Sequence, residues 1–279
     1  MQHRAELALH DYMGKALRGK TTVSDKTVKQ IAEDVSSAVK RQFGNDTKRG
    51  SFRLRMSNVG RPNCQLWFEK NKPELALAKP NNFLMNMMIG DIVEAVFKGL
   101  LTEAKIDYSN SKSVSLDLDN ESISGTYDIV IDGAVDDIKS ASDWSYKYKF
   151  ESFDTLQTSD DFGYIGQLAG YAKASNKKPG GWWVVNKANG RFKYISANGI
   201  DIDKEVSYIN DTVKTISNNK FERCFDLEDE LFRGKPTGNK ILSKTCSFCD
   251  FRFACWENLV EEPSRVSKAK EPKRMSYVN

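Results

Sequence analysis

The sequence predicts an α/β fold, a mixed central sheet flanked by helices. Three observations predict it: an early run of apolar residues at helical spacing, a cluster of three strand-like runs broken by turn pairs, and a second strand pair framed by helical patterns. Read along the chain, the order is helix, three strands, helix, two strands, helix, and alternation of that kind packs helices against a sheet.

Residues 25–43 carry Val28, Ile31, Val35, Val39 and Phe43 three and four apart, one face of an amphipathic helix, with Ser24 placed to cap it. The stretch 51–80 is mixed, with a short helix expected at 64–70. Residues 81–101 (NNFLMNMMIGDIVEAVFKGLL) read as a largely buried helix with Glu94 inside the apolar run. Strands follow at 113–117, 122–131 and 134–140, separated by the turn pairs Asp119-Asn120 and Asp132-Gly133. Helical patterns cover 143–156 and 161–174. The runs GWWVVNK and RFKYIS flank the turn Ala188-Asn189-Gly190, and a last helix is expected at 202–217. No internal repeat is visible. The expected organisation is an N-terminal helical region over 1–50, a main domain over 51–262, and a basic, solvated tail over 263–279.

At 279 residues and 39% hydrophobic content the chain can bury a sizeable core, which argues against disorder. No stretch approaches the roughly 18 consecutive apolar residues of a membrane span, and MQHRAELALHDYMGK lacks the apolar run of a secretory signal. A cytoplasmic protein with no membrane partner is expected. The 42 Lys and Arg against 38 Asp and Glu leave +4, compatible with a locally basic groove and decisive of nothing. His3 and His10 are the only histidines, so hydrolytic chemistry must rest on carboxylates, lysine and metal. Five cysteines in a cytosolic chain point to metal or redox chemistry rather than a disulfide framework.

The segment SGTYDIVIDGAVDDIKSAS places Asp128 on one strand and Asp137 and Lys139 on the next. Residues two apart on a strand share a face, so Asp137 and Lys139 point one way while Asp136 and Ile138 point the other. A hairpin at Asp132-Gly133 brings Asp128 near the pair. Two carboxylates so placed can hold a hard divalent cation, and the lysine can position or deprotonate an attacking water. An Asp-x-Lys alone recurs by chance on exposed strand faces. Here it has company: Gly90 and Glu94 on the apolar helix, where a buried carboxylate asks for a counter-charge or a metal, and Gln167 and Tyr171, four apart on one helix face.

Near the end, TCSFCDFRFACWE sets Cys246, Cys249 and Cys255 close enough to make a metal site that lacks a fourth ligand. Cys64, in GRPNCQLWFEK, and Cys224, in ERCFDL, are the candidates. Zinc and an iron-sulfur cluster both suit four thiolates.

In this order, the four polar elements resemble the RecB-like branch of the PD-(D/E)XK nucleases: Gly90 to Glu94, Gly125 to Asp128, Asp137 to Lys139, and Gln167 to Tyr171. The resemblance spans roughly residues 60–258. It implies a restriction-endonuclease-like core in which Asp128, Asp137 and the main-chain carbonyl of Ile138 bind Mg²⁺ or Mn²⁺, with Glu94 as a further ligand. Lys139 would orient the attacking water, while Gln167 and Tyr171 steady the site and touch the DNA backbone. Many iron-sulfur members carry His where this chain has Glu94, as phage-type recombination exonucleases do. In the Cas4 and AddB-type nucleases one cysteine before the nuclease motifs and three after them hold a [4Fe-4S] cluster; by that likeness the ligands are Cys64, Cys246, Cys249 and Cys255, and Cys224 is left as a buried core thiol. The cluster would then staple the two ends of the catalytic core, the kind of long closure that most restricts an unfolded chain. The implied activity is metal-dependent hydrolysis of DNA ends or single strands, with a 5′ phosphate left on the product. The compact form without a helicase suits a phage-encoded enzyme working in a bacterial host's cytoplasm. The rival expectations are a catalytically idle iron-sulfur DNA-binding or recombination-partner module, a restriction-type endonuclease, and a structural zinc protein.

Overall fold

A computed structural model describes residues 3–44, 52–119 and 121–279. The chain divides into two units. The larger draws on Met1–Gly50, Leu54–Gly60 and Pro80–Asp211, and the smaller on Ser51–Arg53, Arg61–Lys79 and Thr212–Asn279. The expected boundary at residues 50 and 51 lies outside the described residues, as does Asn120 of the first turn pair.

The larger unit is built on a five-stranded sheet of order β1-β2-β3-β4-β5: β1 Tyr108–Asp117, β2 Ser122–Ile131, β3 Ala134–Ala141, β4 Lys178–Asn186 and β5 Phe192–Ser196. β1, β2 and β3 are antiparallel neighbours, β3 and β4 pair in parallel, and β5 returns antiparallel to β4. The α/β class with a mixed sheet flanked by helices is therefore as the pattern predicts. The parallel pair needs a long crossover. It is supplied by a π-turn at Ser145–Lys149, then α5 (Phe153–Thr158) and α6 (Tyr164–Ser175). The single helix expected over 143–156 is thus two pieces, because Ser152 is extended and closes a capping box with Thr155, starting a new helix.

Between β2 and β3 the turn residues Asp132 (φ 53°) and Gly133 (φ 78°) both adopt left-handed backbone, which matches the twist of the flanking strands. The ladder runs Ile131↔Ala134, Val130↔Val135, Ile129↔Asp136. One further step sets Asp128 opposite Asp137.

One face of the sheet carries the main core. Ala5 and Leu9 of α1 (Arg4–Leu17) and Phe97 and Leu101 of α4 (Asn82–Glu103) close over Ile129, Ile131, Ile138 and the fully buried Trp183. α6 contacts β1, β2, β3 and β4. α2 (Asp25–Phe43) begins at the expected cap, Ser24 Oγ accepting from Thr27 N at 3.3 Å, and packs on α4. Its packed face is rotated from the expected one: Thr27 and Ala38 are buried while Val28, Val39 and Phe43 are exposed. Ile31 of the expected stripe does meet α4, where Gly99 leaves room for it: an added Cβ would lie 2.5 Å from Ile31 Cδ1 and 3.1 Å from Thr27 Cγ2. α7 (Ile202–Ser217) spans the range expected. No helix among the described residues is long and apolar enough to cross a membrane.

The smaller unit holds α3 (Asn63–Asn71), a four-stranded sheet of order β6-β7-β9-β8, and two short helices, α8 (Lys244–Ser247) and α9 (Arg252–Cys255). The strands are β6 Glu228–Phe232, β7 Lys235–Ile241, β8 Leu259–Pro263 and β9 Arg274–Val278. The stretch expected to be a solvated tail therefore contains β9, which pairs along all of β8 and meets β7 at Ile241↔Tyr277. Tyr277 is fully buried and its hydroxyl donates to Glu230 Oε1 at 2.6 Å. The short alternation Met275-Ser276-Tyr277 carried the strand signal under a basic average composition.

At the entry to α6, Gly163 takes φ 71° and its Cα faces Gly60, where an added Cβ would lie 2.5 Å from the Gly60 Cα. Gly163→Ala combines a left-handed alanine with a backbone clash, and we expect a loss of at least about 2 kcal/mol. A thermal melt reads it as a fall of several degrees; an unchanged midpoint would contradict the close approach.

Candidate functional site

The odd-numbered positions of β3 face away from the Trp183 core and bring Asp137 and Lys139 together. Asp137 is 3% exposed. Lys139 Nζ donates to its Oδ1 at 2.9 Å. The other oxygen, Oδ2, lies 2.7 Å from the same amine, yet no donor is aligned with it. A buried carboxylate oxygen left without an aligned partner is costly unless something positive completes it. Asp128 arrives from β2 and is anchored by the main chain, its Oδ2 accepting from Ile138 N at 2.7 Å. The middle residue of the Asp-x-Lys element thus positions a carboxylate through its N–H.

Burial first, then the charges of Asp137 and Glu94, push the Asp128 carboxyl up to about 8. Burial also raises Asp137, against the pull of Lys139. Burial alone would lower Lys139, but Asp137 and Asp128 outweigh it and hold the amine protonated above its ordinary range.

Glu94 stands on α4 within electrostatic reach of both aspartates. Its counter-charge comes from its own helix: Lys98 Nζ donates to Oε1 at 2.5 Å. Among the described residues no three of His, Cys, Asp and Glu converge to hold a metal ion. The structure therefore joins Asp128, Asp137 and Lys139 and leaves Glu94 tied to Lys98. Asp128 and Asp137 are the residues that could offer oxygen to a hard divalent cation here, and both oxygens of Asp137 now face the Lys139 amine.

Gln167 and Tyr171 share a face of α6, with Gln167 Nε2 donating to the Tyr171 hydroxyl at 3.1 Å. Tyr171 is 2% exposed, and burial pushes its phenol up to about 12. Its ring is packed inside the protein, on the helix face that carries Gln167. A Cβ on Gly125 would lie 2.6 Å from Tyr171 Cε1, so the glycine of the Gly-x-x-Asp element makes room for this ring.

Sequence reasoning passed over two features. Tyr164, at the start of α6, places its ring 5.0 Å from Lys139 Nζ. On the opposite face of β3, Asp136 is buried and accepts from Trp183 Nε1 at 3.1 Å and from the Tyr194 hydroxyl at 3.0 Å. Burial pushes it to about 7 in spite of those bonds. The tryptophan pair in GWWVV was the available signal for a buried donor.

In the smaller unit, Cys64 at the start of α3, Cys246 in α8, Cys249, and Cys255 in α9 line one small cavity, closed on its apolar side by Phe68 and Phe251, whose rings stack at 5.3 Å. All five cysteines are free thiols. Thiols are the donors that iron-sulfur clusters and zinc take, but as placed these four share a cavity without converging on one point close enough to hold a metal. Cys224 departs from expectation. It is exposed rather than a buried core thiol, and its Sγ accepts from Cys64 N at 3.0 Å. The hydrogen bond with Cys64 lowers the Cys224 thiol to about 7 and raises that of Cys64. Burial pushes Cys249 up to about 11.

Asp128 keeps its proton in the folded chain up to about pH 8 and loses it near pH 4 when unfolded, so its contribution is full below pH 4 and is lost as pH rises to 8. Urea unfolding in EDTA should show stability declining across that window. Asp128→Asn should flatten the slope, and Mn²⁺ should restore stability with release of protons. A slope unaffected by both would refute the coupling. No family model and no curated protein matches the chain. Among solved structures the chain is similar to one titled "Crystal structure of SSO0001", at 11% identity and a TM-score of 0.43, over 80% of this chain and 94% of that one, a likeness too distant to bear on function.

Proposed function

We propose that the chain is a divalent-metal-dependent deoxyribonuclease of the RecB-like PD-(D/E)XK kind, an exonuclease acting on DNA ends or single strands, with a [4Fe-4S] cluster in its smaller unit. One observation carries the reading: Asp128 and Asp137 stand on adjoining strands, with Asp137 Oδ2 lacking an aligned donor beside the Lys139 amine. Mg²⁺ or Mn²⁺ held by Asp128 and Asp137 would supply Lewis acidity to the scissile phosphate and acidify water.

The residues of the chain account for the rest. Lys139 is a cation, so its part is to orient the attacking water and offset negative charge gathering on the phosphate, not to serve as a free base. Water oxygen attacks phosphorus and gives up a proton to solvent, the bond to the 3′ oxygen breaks, that oxygen takes a proton from solvent, and the 5′ phosphate stays on the neighbouring nucleotide. Ile138 N–H keeps Asp128 aimed at the site, and Tyr171, seated on Gly125, keeps α6 against the strand that bears it. The proposed cluster ligands are Cys64, Cys246, Cys249 and Cys255, which share one cavity.

Asp137→Asn and Lys139→Ala should each lower cleavage of end-labelled DNA in Mg²⁺ or Mn²⁺ by at least about 100-fold, with circular dichroism unchanged. Retained cleavage in both variants removes the site. Closed circular DNA should survive while linear DNA shortens; nicking of the circle would favour an endonuclease. Anaerobically purified chain should be brown, Cys64→Ser should lose the colour, and Cys224→Ser should keep it. A colourless, zinc-containing preparation would overturn the cluster.

A further inference from the structure

We propose that exposed rings leading out from the carboxylate site form a stacking platform for the unpaired bases of single-stranded DNA, an inference that rests on the nuclease reading and narrows its substrate. The platform starts at Lys139, whose amine lies 5.0 Å from the Tyr164 ring centroid. Tyr164 in turn stacks on Phe162, with centroids 5.6 Å apart and planes 17° from parallel. Lys149 lies against both rings, 4.7 Å from Phe162 and 4.8 Å from Tyr164. Asp160 fixes the chain here by accepting from Tyr164 N at 2.9 Å and Ile165 N at 2.8 Å. The result is a continuous row that begins at the half-buried site lysine, passes through Tyr164, which also stacks on Phe150, and ends in solvent at Phe162, which is 61% exposed.

A single exposed phenylalanine is ordinary. One aligned in a stack that touches the site's lysine is a different matter, and it is not alone. Directly after β3, five positions beyond Lys139, Trp144 is 56% exposed and Tyr148 58% exposed, their rings 5.6 Å apart. Bases within a duplex have both faces covered by their neighbours. An unpaired base offers a free face, and aromatic rings beside lysines are how proteins hold such bases without regard to sequence. The rings therefore favour a frayed end or a single strand over an intact duplex.

The test is fluorescence anisotropy of the full, anaerobically purified chain with labelled oligothymidylate, and with a hairpin duplex of equal length, in EDTA at fixed low salt. Phe162→Ala and Trp144→Ala should each weaken oligothymidylate binding about 5- to 150-fold, the range expected for loss of one stacked base. Phe162→Trp and Trp144→Phe should bind as the parent does, and hairpin binding should not change. The platform is overturned if the parent does not bind oligothymidylate, if both alanine variants bind it like the parent, or if they lose hairpin binding equally. Because no cleavage is needed, the two readings separate. Ring-dependent binding by a chain that never cuts DNA with Mg²⁺ or Mn²⁺ keeps the platform and sinks the nuclease, whereas cleavage with ring-independent binding does the reverse.

Discussion

The peptide N–H of Ile138 reaches the carboxylate of Asp128 at 2.7 Å, just beyond the last ladder pair of the β2–β3 hairpin. A ladder bond at this point would have joined main chain to main chain. Here a side chain takes the donor instead, and Asp128 is fixed to the strand that carries Asp137 and Lys139. That arrangement depends on a two-residue turn of left-handed backbone, since one residue more or fewer would turn every side chain of β3 to the wrong face.

The same parity makes β3 serve two masters. Its even positions put Ile138 into the core with Trp183 and bury Asp136 against the donors of Trp183 and Tyr194. Its odd positions hold the acid and amine of the candidate site. Two neighbouring aspartates are thus both buried for unrelated reasons. Asp136 has its partners within the protein, while Asp137 keeps one oxygen without an aligned donor. Identical side chains at adjacent positions separate into scaffold and chemistry by which face of the sheet they share.

Much of this was legible in the residues. The Asp132-Gly133 pair announced the hairpin, two-residue periodicity placed Asp137 and Lys139 on one face, and helical spacing located α2, α4, α6 and α7 closely. What escaped depended on contacts distant in the chain. The face of α2 was right only in part, because Gly99 of α4 seats Ile31 together with Thr27 and so turns Val28 and Val39 outward. β9 was hidden because a strand of five residues pairs with partners that composition cannot see. The place of Cys224 beside Cys64 joins positions 160 apart, beyond the reach of any local pattern. Glu94, expected to be buried and to ask for a counter-charge or a metal, is instead half-buried and pairs with Lys98 one turn away.

The smaller unit is assembled from pieces on either side of the larger one in sequence, and this bears on the order in which the chain can fold as it is synthesised. The elements of the larger unit have all emerged by about residue 211. α3 leaves the ribosome early, yet Trp67 packs on Phe221 and Lys70 donates to the Ile216 carbonyl at 2.7 Å, both of them late arrivals. A nascent chain therefore carries α3, with Cys64 at its head, unpaired through most of translation. Its thiol can share a cavity with Cys246, Cys249 and Cys255 only once residue 255 has appeared.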